Sequence, residues 1–170
     1  MPRPGRGLAC SDDAGAQELG LHMSKRARLG DRKMRLTLCK LCEFETTLHN
    51  GNEALIGLFD SVTVNKFPCP IPPLVVAAEL EYEPSEAGRT AAVEVVLLDQ
   101  DGRRLVTAST DVPLAQTLSA MPGRVWVRVR FGFGEPVEIA RPGIYRFDVL
   151  VNGNHMASER LILEEAAAVD

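Results

Sequence analysis

From Met34 onward, apolar and polar residues alternate in short runs of period two, and Gly, Pro, Asn and Asp separate the runs. The rhythm predicts strands over about 35–46, 54–64, 74–82, 90–99, 104–112, 124–133, 144–151 and 156–164. No long apolar run repeats at the helical period, although Leu114–Met121 has room for one helical turn. Many short strands with frequent turn residues specify an all-β sandwich.

The turns carry the firmest local signals. In Leu98-Asp-Gln-Asp-Gly-Arg-Arg-Leu105, Asp101-Gly102 joins two alternating runs. The join is either a two-residue turn or a three-residue loop with Gly102 as the left-handed residue. The first faces Asp99 with Arg104, Leu97 with Val106 and Val95 with Ala108; the second faces Asp99 with Arg103. Either explains the DxDG spelling without calcium, which would need further oxygen ligands and a distal Glu. Asn152-Gly153 predicts a second tight hairpin that places Arg146 opposite Glu159 and Val149 opposite Met156. Pro142-Gly143 re-aims the chain into that hairpin, and Tyr145 enters where sandwich domains place a corner tyrosine bonded to nearby backbone. Between Asn65 and Leu74, four prolines (68, 70, 72 and 73) predict a stiff extended connector crossing between sheets.

Charge divides the chain in two. Residues 1–33 hold seven basic and four acidic side chains, a balance of +3, so the remainder carries −7 of the whole-chain −4. An acidic body argues against nucleic acid as a partner, because phosphate binding needs clustered positive charge. No apolar run approaches the roughly 18 residues of a membrane span. Residues 1–33 lack periodicity and read as a disordered tail, or as residues upstream of a start at Met23 or Met34. The intact mass of natively expressed protein decides between them, since a mass that includes residue 1 removes the later start. Residues 166–170 form a short C-terminal tail.

Cys39-Lys-Leu-Cys42 has the CxxC spelling of redox and zinc sites, yet it lies in a predicted strand, where residues three apart face opposite ways. With the histidines at 22, 49 and 155 scattered, the expectation is unligated thiols in a reducing, cytoplasmic setting, with no metal and no cofactor. The serines at 61, 85, 109, 119 and 158 lie in no GxSxG turn, and no local pairing of one with His49 or His155 is expected. FGFGEP, with Gly132 and Gly134, reads as a strand-end bend rather than a phosphate loop.

The sharpest candidate surface is Arg124-Val-Trp-Val-Arg-Val-Arg-Phe131. Val125, Val127, Val129, Phe131 and Phe133 form the inward row, which leaves Arg124, Trp126, Arg128 and Arg130 outside. A Trp among arginines can anchor a protein partner or hold an anionic or carbohydrate ligand. The plainer alternative is a solvated face whose arginines pair with Glu79, Glu81, Glu83 and Glu94.

Ala54-Leu-Ile-Gly-Leu-Phe-Asp60, Phe67-Pro68, Pro73, Leu98-Asp-Gln-Asp-Gly102 and Pro142-Gly-Ile-Tyr-Arg-Phe147 with Asn152-Gly153 carry a family resemblance. On these residues, the segment from Met34 to about Glu165 resembles a family of small uncharacterised bacterial proteins, a domain of unknown function. The resemblance implies an immunoglobulin-like sandwich and transfers no functional residue. The expectation is therefore a single antiparallel immunoglobulin-like β-sandwich over 34–165. Its expected role is a non-catalytic interaction or structural module, with a protein partner or homo-oligomer formed through an exposed edge strand. Ligand binding at the Trp126 face is the alternative, and an enzyme the third.

Overall fold

Leu74–Tyr82 reads LVVAAELEY, apolar at nearly every position, which suits a strand covered on both faces. The computed structural model describes residues 34–116, 121–132 and 137–167. In it this segment, β5, lies inside a four-stranded sheet. It pairs antiparallel with β1 (Met34–Thr47) on one side and β8 (Gly123–Phe131) on the other, and β2 (Glu53–Leu58) extends the sheet beyond β1. The second sheet has five strands. Its order is β3 (Ser61–Val64), β11 (Asn154–Glu165), β10 (Gly143–Val151), β6 (Thr90–Leu98) and β7 (Arg104–Pro113). A two-residue bridge joins β4 (Cys69–Pro70) to β9 (Glu138–Ile139), and one 3₁₀ turn spans Pro84–Glu86. The chain is thus the two-sheet β-sandwich that the two-residue rhythm predicts, with the immunoglobulin-like arrangement that the family resemblance implies.

Alternate residues of the two sheets meet in the middle. Leu74, Val76, Ala78, Leu80 and Tyr82 from β5 share one core with Val93, Val95 and Leu97 and with Tyr145, Phe147, Val149 and Val151. Phe131 meets Phe147 edge to face, with ring centroids 5.0 Å apart. Tyr145 is the expected corner tyrosine: it is buried, and its hydroxyl donates to the Arg141 carbonyl at 2.7 Å.

Four expectations need correction. The single strand predicted over 54–64 breaks at Phe59-Asp60, because the chain changes sheets there. Phe59 packs on the core and the Asp60 carbonyl accepts from the Ile162 amide at 2.8 Å. The strand that follows, β3, runs parallel to β11, so one pairing departs from the antiparallel rule. Arg146 faces Arg160 rather than Glu159, and Val149 faces Ala157 rather than Met156. A bulge between Val149 and Leu150 shifts the ladder by one residue beyond the Asn152-Gly153 turn. Leu114–Gln116 forms no helix: the Leu114 amide donates to the Arg89 carbonyl and its side chain is buried. The tails at 1–33 and 168–170, the remainder of that helical turn at 117–120, and Phe133 and Gly134 lie outside the described residues.

The first hairpin combines both registers weighed for it. At the tip the Asp99 amide donates to the Arg103 carbonyl at 2.9 Å, so the loop holds three residues, with Gly102 at φ +77°. A bulge between Leu97 and Leu98 then restores the other register, in which Leu97 faces Val106 and Val95 faces Ala108. The proline segment connects β3 in one sheet to β5 in the other, as an extended connector should.

Tyr82 closes one end of the sandwich. Its hydroxyl donates to the Ala115 carbonyl at 3.0 Å, and its ring lies on Gly123, its partner across the ladder. A Cβ at position 123 would fall inside the ring's van der Waals envelope. Gly123→Ala is expected to cost about 1–3 kcal/mol through overpacking, and Tyr82→Phe about 0.5–1.5 kcal/mol through the lost hydrogen bond. Urea unfolding reads both, and a Gly123→Ala midpoint equal to that of the parent would contradict this packing.

Candidate functional site

The alternation of β8 sends Val127, Val129 and Phe131 into the core and leaves Arg124, Trp126, Arg128 and Arg130 on the outer face. The expected row exists, and each of its arginines holds a carboxylate. Arg124 meets Glu81 at 3.2 Å and Glu79 at 3.7 Å, and Arg35 shares Glu81 at 2.7 Å. Arg128 pairs with Glu53, and Arg130 with Glu45 at 2.6 Å. Trp126 is half-buried and stands opposite Glu79 in the ladder.

The partners are partly those the sequence offers. Glu79 and Glu81 serve, but Glu83 lies past the end of β5 beside the 3₁₀ turn, and Glu94 belongs to β6 in the other sheet. Glu45 and Glu53 replace them, from β1 and β2. To reach these carboxylates, Arg128 and Arg130 must cross β5 at its two smallest outward positions, since Arg128 is in register with Ala77 and Arg130 with Val75. Cys42, Val75 and Ala77 are buried on the outer face, with Leu55 packed against them. Glu45 is only 7% exposed, and its Oε2 has no hydrogen-bond partner, so its charge depends on the Arg130 contact at Oε1.

Cys39 and Cys42 separate as the strand reading requires. Cys39 belongs to the inter-sheet core and Cys42 to the outer cluster, so their sulfurs occupy opposite faces of one sheet. Burial, with Glu159 adding to it and Lys40 opposing it, pushes the Cys39 thiol up to about 12. Burial also raises Cys42 and Cys69, and all three thiols are free. None has the electropositive, accessible surroundings of a reactive cysteine.

The sequence reading missed one constellation. Ser158 does meet a histidine: its Oγ lies 2.9 Å from His155 Nε2 and donates to Asp148 Oδ1 at 2.6 Å. Arg146 holds the same carboxylate at 2.8 Å. Two strands of the second sheet bring these groups together, Asp148 facing Ser158 across the ladder. Burial works to raise the Asp148 carboxyl. The hydrogen bonds from Ser158 and Arg146, with the charges of Arg146 and His155, outweigh it and hold the group below its ordinary value. The polarity is the reverse of a nucleophilic triad. The hydroxyl proton goes to the carboxylate, and the imidazole is left as donor to the serine rather than its base.

The DxDG loop is satisfied by its own chain. Asp99 Oδ1 accepts from the amides of Asp101 and Arg103 at 2.9 and 2.8 Å, and Asp101 pairs with Arg141. A shallow depression of about 570 Å³ lies beside it, between the loop and the start of β10.

A second surface stands out by exposure. Among the described residues, six large hydrophobic side chains are exposed, and four of them belong to the β1–β2 hairpin. These are Phe44 (53%), Leu48, Ile56 (50%) and Leu58 (57%), and Phe44 faces Ile56 directly in the ladder. Glu45 and Leu55 take the other side of the hairpin, toward Arg130 and the buried outer cluster.

Similar sandwiches occur in solved structures of low sequence identity. The C-terminal domain of Wzt is 10% identical with a TM-score of 0.45, over 79% of this chain and 75% of that domain. An immunoglobulin-like protein from Pseudomonas aeruginosa is 12% identical with a TM-score of 0.43, over 79% and 99%. The alkylpurine DNA glycosylase AlkC of Pseudomonas fluorescens is 14% identical with a TM-score of 0.38, over 78% of this chain, which spans 30% of the glycosylase. No curated protein matches the sequence. Residues 37–164 match the Family of unknown function (DUF6941), and the chain therefore belongs to that family.

Proposed function

We propose that the chain is a non-catalytic interaction module that docks a protein through the exposed side of its β1–β2 hairpin. One observation carries this reading: among the described residues, four of the six exposed large hydrophobics lie in that hairpin. Clustered apolar exposure marks docking sites more reliably than single apolar residues do. The arginine row is the weaker surface, because each guanidinium already holds a glutamate. An anionic or carbohydrate ligand there would have to displace Glu53 or Glu45, and displacing Glu45 would strand a buried carboxylate. What favours that second reading is the half-buried indole of Trp126 at the centre of the row.

The free thiols support a reducing, cytoplasmic location. Among the described residues, no helix is long and apolar enough to cross a membrane.

Site-specific photo-crosslinking in cells separates the surfaces. A benzophenone side chain placed at position 56 is expected to yield a covalent protein adduct, and one at position 126 none. Adducts at 126 with none at 56 would move the interaction to the Trp126 face, and adducts at neither would remove the docking reading.

A further inference from the structure

We infer that the occupant of this hairpin is a second copy of the chain, bound edge to edge through β2 in a two-fold dimer; the inference rests on the docking reading above. Four strands end the two sheets, and three of them carry devices that discourage pairing. β8 alternates with arginines, β7 carries Arg104, Asp111 and Pro113, and β3 is only four residues long. β2, reading EALIGL, has no lysine, no proline and one charge at its first position. That charge is already engaged, since Glu53 pairs with Arg128 and accepts from the Thr47 hydroxyl at 3.2 Å.

The strand is also complementary to itself. An antiparallel pair with its two-fold axis at Leu55 sets Leu55 against Leu55 of the second copy and Ile56 against Ala54. Glu53 then faces Gly57, which has no side chain and a φ of +66°. The Leu55–Leu55 and Ile56–Ala54 pairs are apolar, while Glu43 lies over Gly57 within its own hairpin, so the Glu53 of the second copy meets one carboxylate there. The pairing fills the open hydrogen-bonding edge of β2 and brings the Ile56 and Phe44 of each copy together on one side of a continuous sheet. Any other partner must supply both an unpaired strand and an uncharged apolar row, and a second copy supplies both by symmetry.

Two features set the strength of the dimer. One short strand and its apolar side chains fall well below the roughly 800 Å² per partner of a standard interface, so dissociation is expected at micromolar concentration or weaker. The chains also repel, each carrying −4 overall and −7 over residues 34–170. Salt should therefore tighten the dimer by screening that repulsion while leaving the neutral contact intact.

Sedimentation velocity of the full chain over a concentration series tests this. The expected result is a sedimentation coefficient that rises with concentration and rises further at high salt. Ile56→Lys should weaken association at least about tenfold, with Ile56→Thr as a milder variant, and circular dichroism confirms the fold of each. A parent chain that stays monomeric throughout, or a dimer that survives both folded variants undiminished, would overturn the inference. The two proposals fail separately. A monomeric chain whose position-56 benzophenone captures a different protein leaves the docking surface standing and removes the dimer. An adduct of twice the chain mass supports both.

Discussion

β5 must be covered on both sides. Its inward residues meet the second sheet, as in any sandwich, but its outward Val75 and Ala77 face what should be solvent and are nevertheless buried. Leu55 of the β1–β2 hairpin packs against them, and Arg128 and Arg130 tie that hairpin to β8 through Glu53 and Glu45. The outer face of this sheet is thereby closed in part by its own β1–β2 hairpin. The ion pairs are individually weak where they meet water. Their larger contribution is to hold the hairpin that carries Leu55 against its apolar neighbours and to neutralise a carboxylate that is itself nearly buried.

That constraint decides how the surfaces divide. The arginine row would read as a ligand face if the guanidiniums were free, but here they are committed to closing the sheet. The same closure fixes the β1–β2 hairpin, because Glu45 and Glu53 sit on it and Leu55 packs beneath. With one side of the hairpin pulled toward β8, Phe44 and Ile56 are left on the other side without a cover. Structural work on one face thus creates the exposed surface on the other.

Much of the fold was legible because it is written locally. The two-residue rhythm located the principal strands, and Gly102 and Asn152-Gly153 marked both hairpins. Tyr145 and the opposed faces of Cys39 and Cys42 followed from strand geometry alone. What escaped depends on partners far apart in sequence or on a one-residue slip. The bulges beside Leu98 and Val149 have no spelling of their own, yet each changes every cross-strand pair on one side of it. The break at Phe59-Asp60 hides inside one continuous alternating run. Glu45 and Glu53 were overlooked as partners of the arginines because β5 lies between them and β8 in the sheet. The nearest local hint is the pair of small outward residues, Val75 and Ala77, whose size makes room for side chains to cross. Ser158 and His155 are close in sequence, but only the Asp148 strand beside them gives the pair its third member.

The most direct measurement of this account is a double-mutant cycle on the pair that closes the cover. Arg130→Met keeps the stem and removes the charge, while Glu45→Gln removes the buried carboxylate. Arg130→Met alone should destabilise by about 1–2 kcal/mol, a figure already lowered for a guanidinium that is mostly in water. Adding Glu45→Gln should recover part of that loss, with a coupling of at least about 0.5 kcal/mol. Two changes that simply add, with Arg130→Met no worse beside Glu45 than beside Gln, would mean that the arginines rest on the surface and do not hold it closed.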